Sequence, residues 1–289
     1  MNINIGFLIL KKDYHKICST ENNIYMKYKP QSHQENRMNF EGDTSRARNN
    51  FYSNVSNNLY FLLKNRFTWM NKYIKKNDLG IEVGAGTGVS KEFIKSNNFK
   101  ITDYANNQWL DLKMIDALDT KIDSGSLDYV VSSNMIHHVP YPILFFEEMH
   151  RILKPGGKLL VQEINCSTTM RFLLRLMRHE GYDFTINVFD RELICTDPQD
   201  LWSANCAIPN LLFDNIENFK KNIPNFKVTY TGFSEFFLFI NSGGVISKTK
   251  YIPLPFVLLK FIKIIDKFLC STFPSFFALQ RQVVLEKSI

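Results

Sequence analysis

Apolar positions along the chain follow two rhythms, and the change between them divides it. From Asn50 to Ile74, Phe51, Val55, Leu59, Leu62, Leu63, Phe67, Met70 and Ile74 recur at three- and four-residue spacing. That spacing predicts one or two amphipathic helices packed ahead of a first strand. From Leu79 the pattern shortens to compact apolar runs: LGIEV, then KITD at 100–103, LKMI at 112–115, SLDYVVSS at 126–133 and KLLVQE at 158–163. Such runs, bounded by turn residues, predict five buried strands. Between them a helix is expected over Ser90–Ser96, and another from about Tyr141 to Leu153, stopped by Lys154-Pro155-Gly156-Gly157. Strands alternating with helices imply a mostly parallel sheet covered on both faces.

Outside this alternating region the pattern is weaker. Residues 1–49 are polar and without periodicity, and read as an irregular N-terminal extension opening with a short strand. Beyond 165, an apolar and basic helix is expected over Thr168–Glu180, then a long polar loop to about Asn210. Strand material is expected at Phe226–Thr231, Glu235–Ile240 and Ala278–Lys287. The division that follows is an extension (1–49), a core with its preceding helices (50–165), and a C-terminal part of the same domain (166–289).

The end of the first strand carries the candidate chemistry. LGIEVGAGTG brings an acid, Glu82, into glycines at 84, 86 and 88, where a strand turns toward a helix. Glycine there lets a ligand meet bare backbone, because it has no Cβ and tolerates positive φ. A dinucleotide fingerprint would need glycine at 84, 86 and 89, but 89 is valine. The E-x-G-x-G-x-G order instead resembles motif I of the class I S-adenosylmethionine-dependent methyltransferases. Together with KITDY, MIDAL, SLDYVVSSNMIHHV and FFEEMHRILKPGGKL in that order, residues 79 to about 163 resemble the Methyltransferase-11-like branch of that family. FLLKNRFTWMNKYI, HEGYDF and LWSANCAIPNLLFD resemble a bacterial subgroup found with surface-polysaccharide biosynthesis.

The resemblance implies a Rossmann-like α/β fold with a seven-stranded, mostly parallel sheet, helices on both faces and an elaborated C-terminal region. It implies S-adenosylmethionine as cofactor, held by Glu82, Gly84, Ala85, Gly86 and Gly88 at the first turn. Asp103 would accept from the ribose hydroxyls and Tyr104 would cover the adenine. Asp116 and Ala117 would meet the adenine edge, and Asn134 and Ile136 would lie beside the reactive methyl. His137 is the candidate base, assisted by Glu163 at the end of strand five, since imidazole titrates near neutrality and a carboxylate favours its charged form. Packing beneath the cofactor is the competing role for His137. His138, expected to point the other way, reads as structural, as does Asp128. His179 and Glu180 read either as lining of a substrate site or as a helix end; Trp202, Asn205 and Asn210 fall in a loop of the kind that forms an acceptor lid, with plain loop packing as the alternative. No metal constellation is visible in the sequence.

Bulk properties narrow the partners. Net charge is +7, spread along the chain without a basic arm, which permits an anionic partner without requiring one. The strand-four turn, Asn134-Met135-Ile136-His137, lacks the paired prolines of amino-directed nucleic-acid methyltransferases, and no Pro-Cys nucleophile lies near it. The expected acceptor is therefore a small molecule or glycan, with methylation on oxygen; a nucleic-acid enzyme and a non-catalytic cofactor-binding module are the alternatives. Five scattered cysteines without a CxxC pair fit a reducing cytoplasm. In 255–268, Lys260, Lys263 and Lys267 share a helical face beside apolar residues. Such a helix either covers a sheet edge or makes a peripheral contact with an anionic membrane.

Overall fold

In chain order, the elements are β1 (Lys27–Tyr28), α1 (Thr44–Asn54), α2 (Asn57–Thr68), β2 (Leu79–Val83), β3 (Asn98–Ile101), β4 (Leu127–Ser133), α3 (Pro142–Ile152), β5 (Leu153–Ile164) and α4 (Thr168–Met177). Then follow β6 (Tyr182–Asp183), α5 (Ile208–Phe213), α6 (Ile216–Asn222), β7 (Phe226–Ser234), α7 (Phe237–Ile240), α8 (Phe256–Thr272), α9 (Pro274–Phe277) and β8 (Gln280–Lys287). The structure, a computed structural model, describes residues 26–30, 43–178, 180–200, 202–246 and 248–288.

The main sheet runs β3-β2-β4-β5-β8-β7. β3, β2, β4 and β5 pair in parallel, while β8 inserts antiparallel between β5 and β7. This is the expected Rossmann-like arrangement with one strand fewer. Among the described residues the sheet has six strands, and the segment at 112–115 contributes only a bridge from Leu112 to Thr102. Met114 explains the loss: at φ 56° it is left-handed and cannot extend a strand. The Asp111 carboxylate also takes the Ile101 N–H at 2.8 Å.

Two further expectations need correcting. The helix at 90–96 is only a 3-10 turn, Val89–Glu92. Asn71 accepts the Lys95 N–H and donates to the Phe93 carbonyl, so the backbone that would propagate a helix is bonded elsewhere. The strand at 235–240 is instead helix α7. Asp266 accepts the N–H groups of Phe236, Phe237 and Leu238, satisfying donors that a helix start leaves open. The extension is also less irregular than its composition suggests, because α1 begins at Thr44, capped by the Asp43 carboxylate on Arg46 N–H.

Each face of the sheet has its own core. Phe145, Phe146, Met149 and Ile152 of α3 pack with Phe213 and Phe219 on one face; Phe51, Leu62, Phe67 and Met70 pack with Phe93 and Leu259 on the other. The Phe145, Met149 and Ile152 stripe is the one expected from spacing. Because β3 and β4 flank β2 on opposite sides, the order reverses at β2, and a cleft opens beyond the carboxyl ends of these strands.

Candidate active site

A cavity of about 1090 Å³ fills this cleft. Its floor is the turn after β2. Gly84 and Gly86 have φ of 66° and 53°, left-handed values costly for other residues. A Cβ on Gly84 would sit 2.3 Å from the Met135 Cγ, whereas one on Gly86 would meet only the Thr44 methyl, at 3.8 Å. Gly84 thus allows close packing against the β4 turn, and Gly86 keeps the cavity floor bare. The loop is held by Arg48 of α1, which donates to the Thr87 carbonyl at 2.7 Å, and by Trp109, whose Nε1 donates to the Gly86 carbonyl at 3.1 Å.

Asp103, just past β3, accepts the Gly86 N–H on Oδ2 at 2.8 Å and the Ala105 N–H on Oδ1 at 2.9 Å. The carboxylate is therefore fixed beside the glycine floor, and each oxygen keeps a lone pair for a second donor. Asp116 is fixed similarly by the Leu118 N–H at 2.8 Å. Both acids line the cavity with Tyr104, Ala117, Ala85 and Asn134. This is a donor and acceptor set that fits a nucleoside with two vicinal hydroxyls and a polar base edge. Glu82 also lines the cavity, but its carboxyl is buried and accepts from the Ser90 hydroxyl. Burial, with the Asp103 charge adding to it and the Ser90 bond opposing, pushes its pKa up to about 8. Gly88 and Ile136 are not on the cavity wall; Ile136 is buried and donates its N–H to Glu163.

At the end of β4 the turn 136–138 places His137 and His138 on the cavity wall. Nδ1 of His137 lies 2.7 Å from Oε2 of Glu163, which is buried at the end of β5. Oε1 of Glu163 accepts the N–H groups of Met135 at 2.5 Å and Ile136 at 2.6 Å. One carboxylate thus fixes both the turn and the ring. Burial disfavours the imidazolium, but Glu163, with Glu180 beyond it, outweighs that and raises the His137 pKa. The His137 charge in turn overcomes the burial of Glu163 and lowers its pKa.

His138 does not turn away, contrary to expectation. Its ring centroid is 4.2 Å from that of His137. Its Nδ1 is 3.1 Å from the Ser203 carbonyl, an acceptor only, so Nδ1 carries the proton. Burial and the neighbouring His137 charge push its pKa down to about 4. Glu180 completes the group, 3.7 Å from Nε2 of His137 and 3.8 Å from Nε2 of His138. These three residues place ligand atoms within 4.8 Å of one another, a set able to hold a divalent cation that the sequence did not reveal.

Of the expected lid residues, Trp202 lines the cavity and meets His138 edge-on. Asn205 and Asn210 are buried structural links: Asn205 ties the His137 carbonyl to Asp183, and Asn210 accepts the Cys166 N–H. His179 lies outside the described residues. Asp128 is structural as expected, holding the Leu79 N–H and Lys154. Cavity residues that the sequence reading missed are Asp43, Thr44 and Ser45 at the start of α1, and Asp197 and Asp200 in the later loop. The Asp-Thr-Ser run before Arg46 was the available signal, as an N-cap.

Residues 81–161 match the family model described as "Methyltransferase domain". Over that stretch the chain is similar to a methyltransferase domain. Phosphoethanolamine N-methyltransferase 2 of Caenorhabditis elegans is 31% identical over 97 residues, covering 29% of this chain and 22% of that protein. The match thus spans about a fifth of the length of that relative. Among solved structures, an S-adenosylmethionine-dependent methyltransferase from Archaeoglobus fulgidus is similar at 15% identity, covering 78% of this chain and 93% of that one, with a TM-score of 0.48. Phosphoethanolamine N-methyltransferase 2 of Haemonchus contortus, solved with S-adenosyl-L-methionine, is similar at 11% identity, covering 84% and 60%, with a TM-score of 0.39.

Proposed function

We propose that this protein transfers a methyl group from S-adenosylmethionine to a hydroxyl of a small molecule or glycan. The glycan version takes a sugar of a cell-surface polysaccharide, or its lipid-linked precursor, as acceptor. The observation that carries the reading is His137 on the wall of a cavity whose floor is the glycine turn, with the buried Glu163 carboxylate behind its ring. Bound S-adenosylmethionine would supply a sulfonium methyl, already a strong electrophile. Asp103 would hold its ribose and Asp116 its adenine edge, with Tyr104 across the base.

The protein's own share is then positioning and one proton. Nδ1 of His137 is committed to Glu163, which leaves Nε2 as the atom to take the acceptor's hydroxyl proton. Nε2 of His137 would take the acceptor's hydroxyl proton as its oxygen accepts the methyl group, the sulfonium supplying the leaving sulfur that keeps the bond's electron pair. Glu163 balances the imidazolium charge that results. A general base of this kind contributes about 10²–10⁴-fold, and orientation of the acceptor supplies much of the remainder.

A second reading is N-methylation of an amine, because Glu180, Asp197 and Asp200 place carboxyl groups around the cavity. The partial match to a phosphoethanolamine N-methyltransferase supports including it. A labelled-methyl transfer screen over sugar nucleotides, lipid-linked glycans and phosphoethanolamine separates the two. Label on a hydroxyl acceptor, lost in His137→Ala, supports the first reading; label on an amine acceptor alone contradicts it.

A further inference from the structure

Helix α8 is the longest helix among the described residues, and its outward face is apolar. Val257, Phe261, Ile264 and Phe268 recur at four-, three- and four-residue spacing and are 76%, 59%, 67% and 63% exposed. They form one ridge along the helix. Phe273 and Phe276, just past its end, and Ile252, just before it, are also exposed. A contiguous apolar surface of this kind marks a contact with another phase or partner.

The charges beside the ridge choose between occupants. Lys260 and Lys267 are exposed along one flank, while Lys263 reaches Asn65 of α2. Asp266, the one acid on α8, is buried on the opposite side, where it accepts the backbone N–H groups that start α7. The outward face therefore offers apolar side chains and positive charge, with no acid. A second copy docked across a two-fold axis would set lysines against lysines with no counter-charge. An anionic lipid surface satisfies both halves at once: acyl chains take the Phe and Ile ridge, and headgroup phosphates take the lysines. No helix among the described residues is long and apolar enough to cross a membrane, so the geometry is that of a helix lying in the interface.

We propose that α8, continued by α9, docks this protein peripherally onto an anionic membrane. The inference is independent of the methyl-transfer reading. It has a consequence for the cavity, because the Asp266 carboxylate links α8 to α7, and Phe239 and Ile240 of α7 line the cavity wall. Docking would therefore act next to the site.

The test is co-sedimentation of the full chain with vesicles of phosphatidylcholine alone and of phosphatidylcholine with phosphatidylglycerol. The expected result is pelleting with the anionic vesicles that falls as salt is raised. The triple variant Phe261→Ser, Ile264→Ser and Phe268→Ser should fall to the vesicle-free control. The double variant Lys260→Glu and Lys267→Glu should lose the preference for anionic lipid. These are surface positions, so both variants should keep the parent's circular dichroism and melting temperature. If the parent stays in the supernatant with both vesicle types, the proposal is overturned. It is equally overturned if sedimentation velocity shows a dimer that the triple variant disperses, which would assign the face to a second copy.

Discussion

Nδ1 of His137 and Oε2 of Glu163 lie 2.7 Å apart between the ends of two adjacent parallel strands, with both side chains buried. Register produces this pair. β4 and β5 run side by side, so residues just past Ser133 and near Gln162 must meet at the same end of the sheet.

The first prediction concerns the pH dependence of turnover. The groups facing His137 are Glu163, Glu180 and His138, and the two carboxylates raise its pKa above the ordinary 6.5. A base must be neutral to act, so kcat should rise with pH through a midpoint above 6.5. Glu163→Gln removes the stronger carboxylate and leaves burial, which should move the midpoint downward and lower the plateau. A pH–rate profile of kcat checks both; a flat profile would remove His137 as the base.

Glu82 should tie stability to pH. Its folded pKa is about 8, well above the ordinary 4.5, so between these values the native state holds a proton that the unfolded chain has released. Stability should therefore fall as pH rises through that window, by up to about 1.4 kcal/mol per pH unit from this group. Glu82→Gln should flatten this part of the slope. Urea unfolding of parent and variant at several pH values reads the difference.

Arg66 and Glu235 form a bidentate pair at 3.0 and 2.6 Å, buried between α2 and the end of β7. Glu235→Gln should destabilise the protein by about 3–5 kcal/mol, because a buried guanidinium is left without its counter-charge. Replacing both, with Arg66→Met and Glu235→Leu, should cost less than the single change. Chemical denaturation of the three proteins tests this ordering.

The His137, His138 and Glu180 group makes metal dependence a direct test of the proton-acceptor reading. If Nε2 of His137 takes the proton, a chelator should leave turnover unchanged. Added zinc should inhibit by occupying that nitrogen, and Glu180→Ala should weaken the inhibition. Loss of turnover with a chelator, restored by a divalent cation, would mean that a metal activates the acceptor instead.

Legibility in the sequence followed the range of the interactions. The glycine turn, Asp103 and the His137–Glu163 pair sit at strand ends, where short motifs and the sheet order bring them together, whereas Asp116 follows a segment that forms no strand. Glu180 is brought to His137 by non-local links that no local pattern encodes: Asn205 bridges the His137 carbonyl and the Asp183 N–H, and the Cys206 N–H donates to the Gly181 carbonyl. The role of α1 is equally non-local: Arg48 holds a turn formed by residues 84–88. The lost seventh strand and the strand that became α7 fail for a different reason. In both, a side-chain carboxylate, Asp111 or Asp266, captured backbone donors that hydrophobic patterning had assigned elsewhere.

The central claim is that the glycine turn and Asp103 hold S-adenosylmethionine while His137 serves the chemistry, and calorimetric titration with the cofactor tests it without knowing the acceptor. The parent should bind, His137→Ala should bind with nearly the same affinity, and Asp103→Ala should lose about 1–3 kcal/mol as the ribose hydrogen bonds go. Absence of binding to the parent, or an unchanged affinity in Asp103→Ala, would contradict the account.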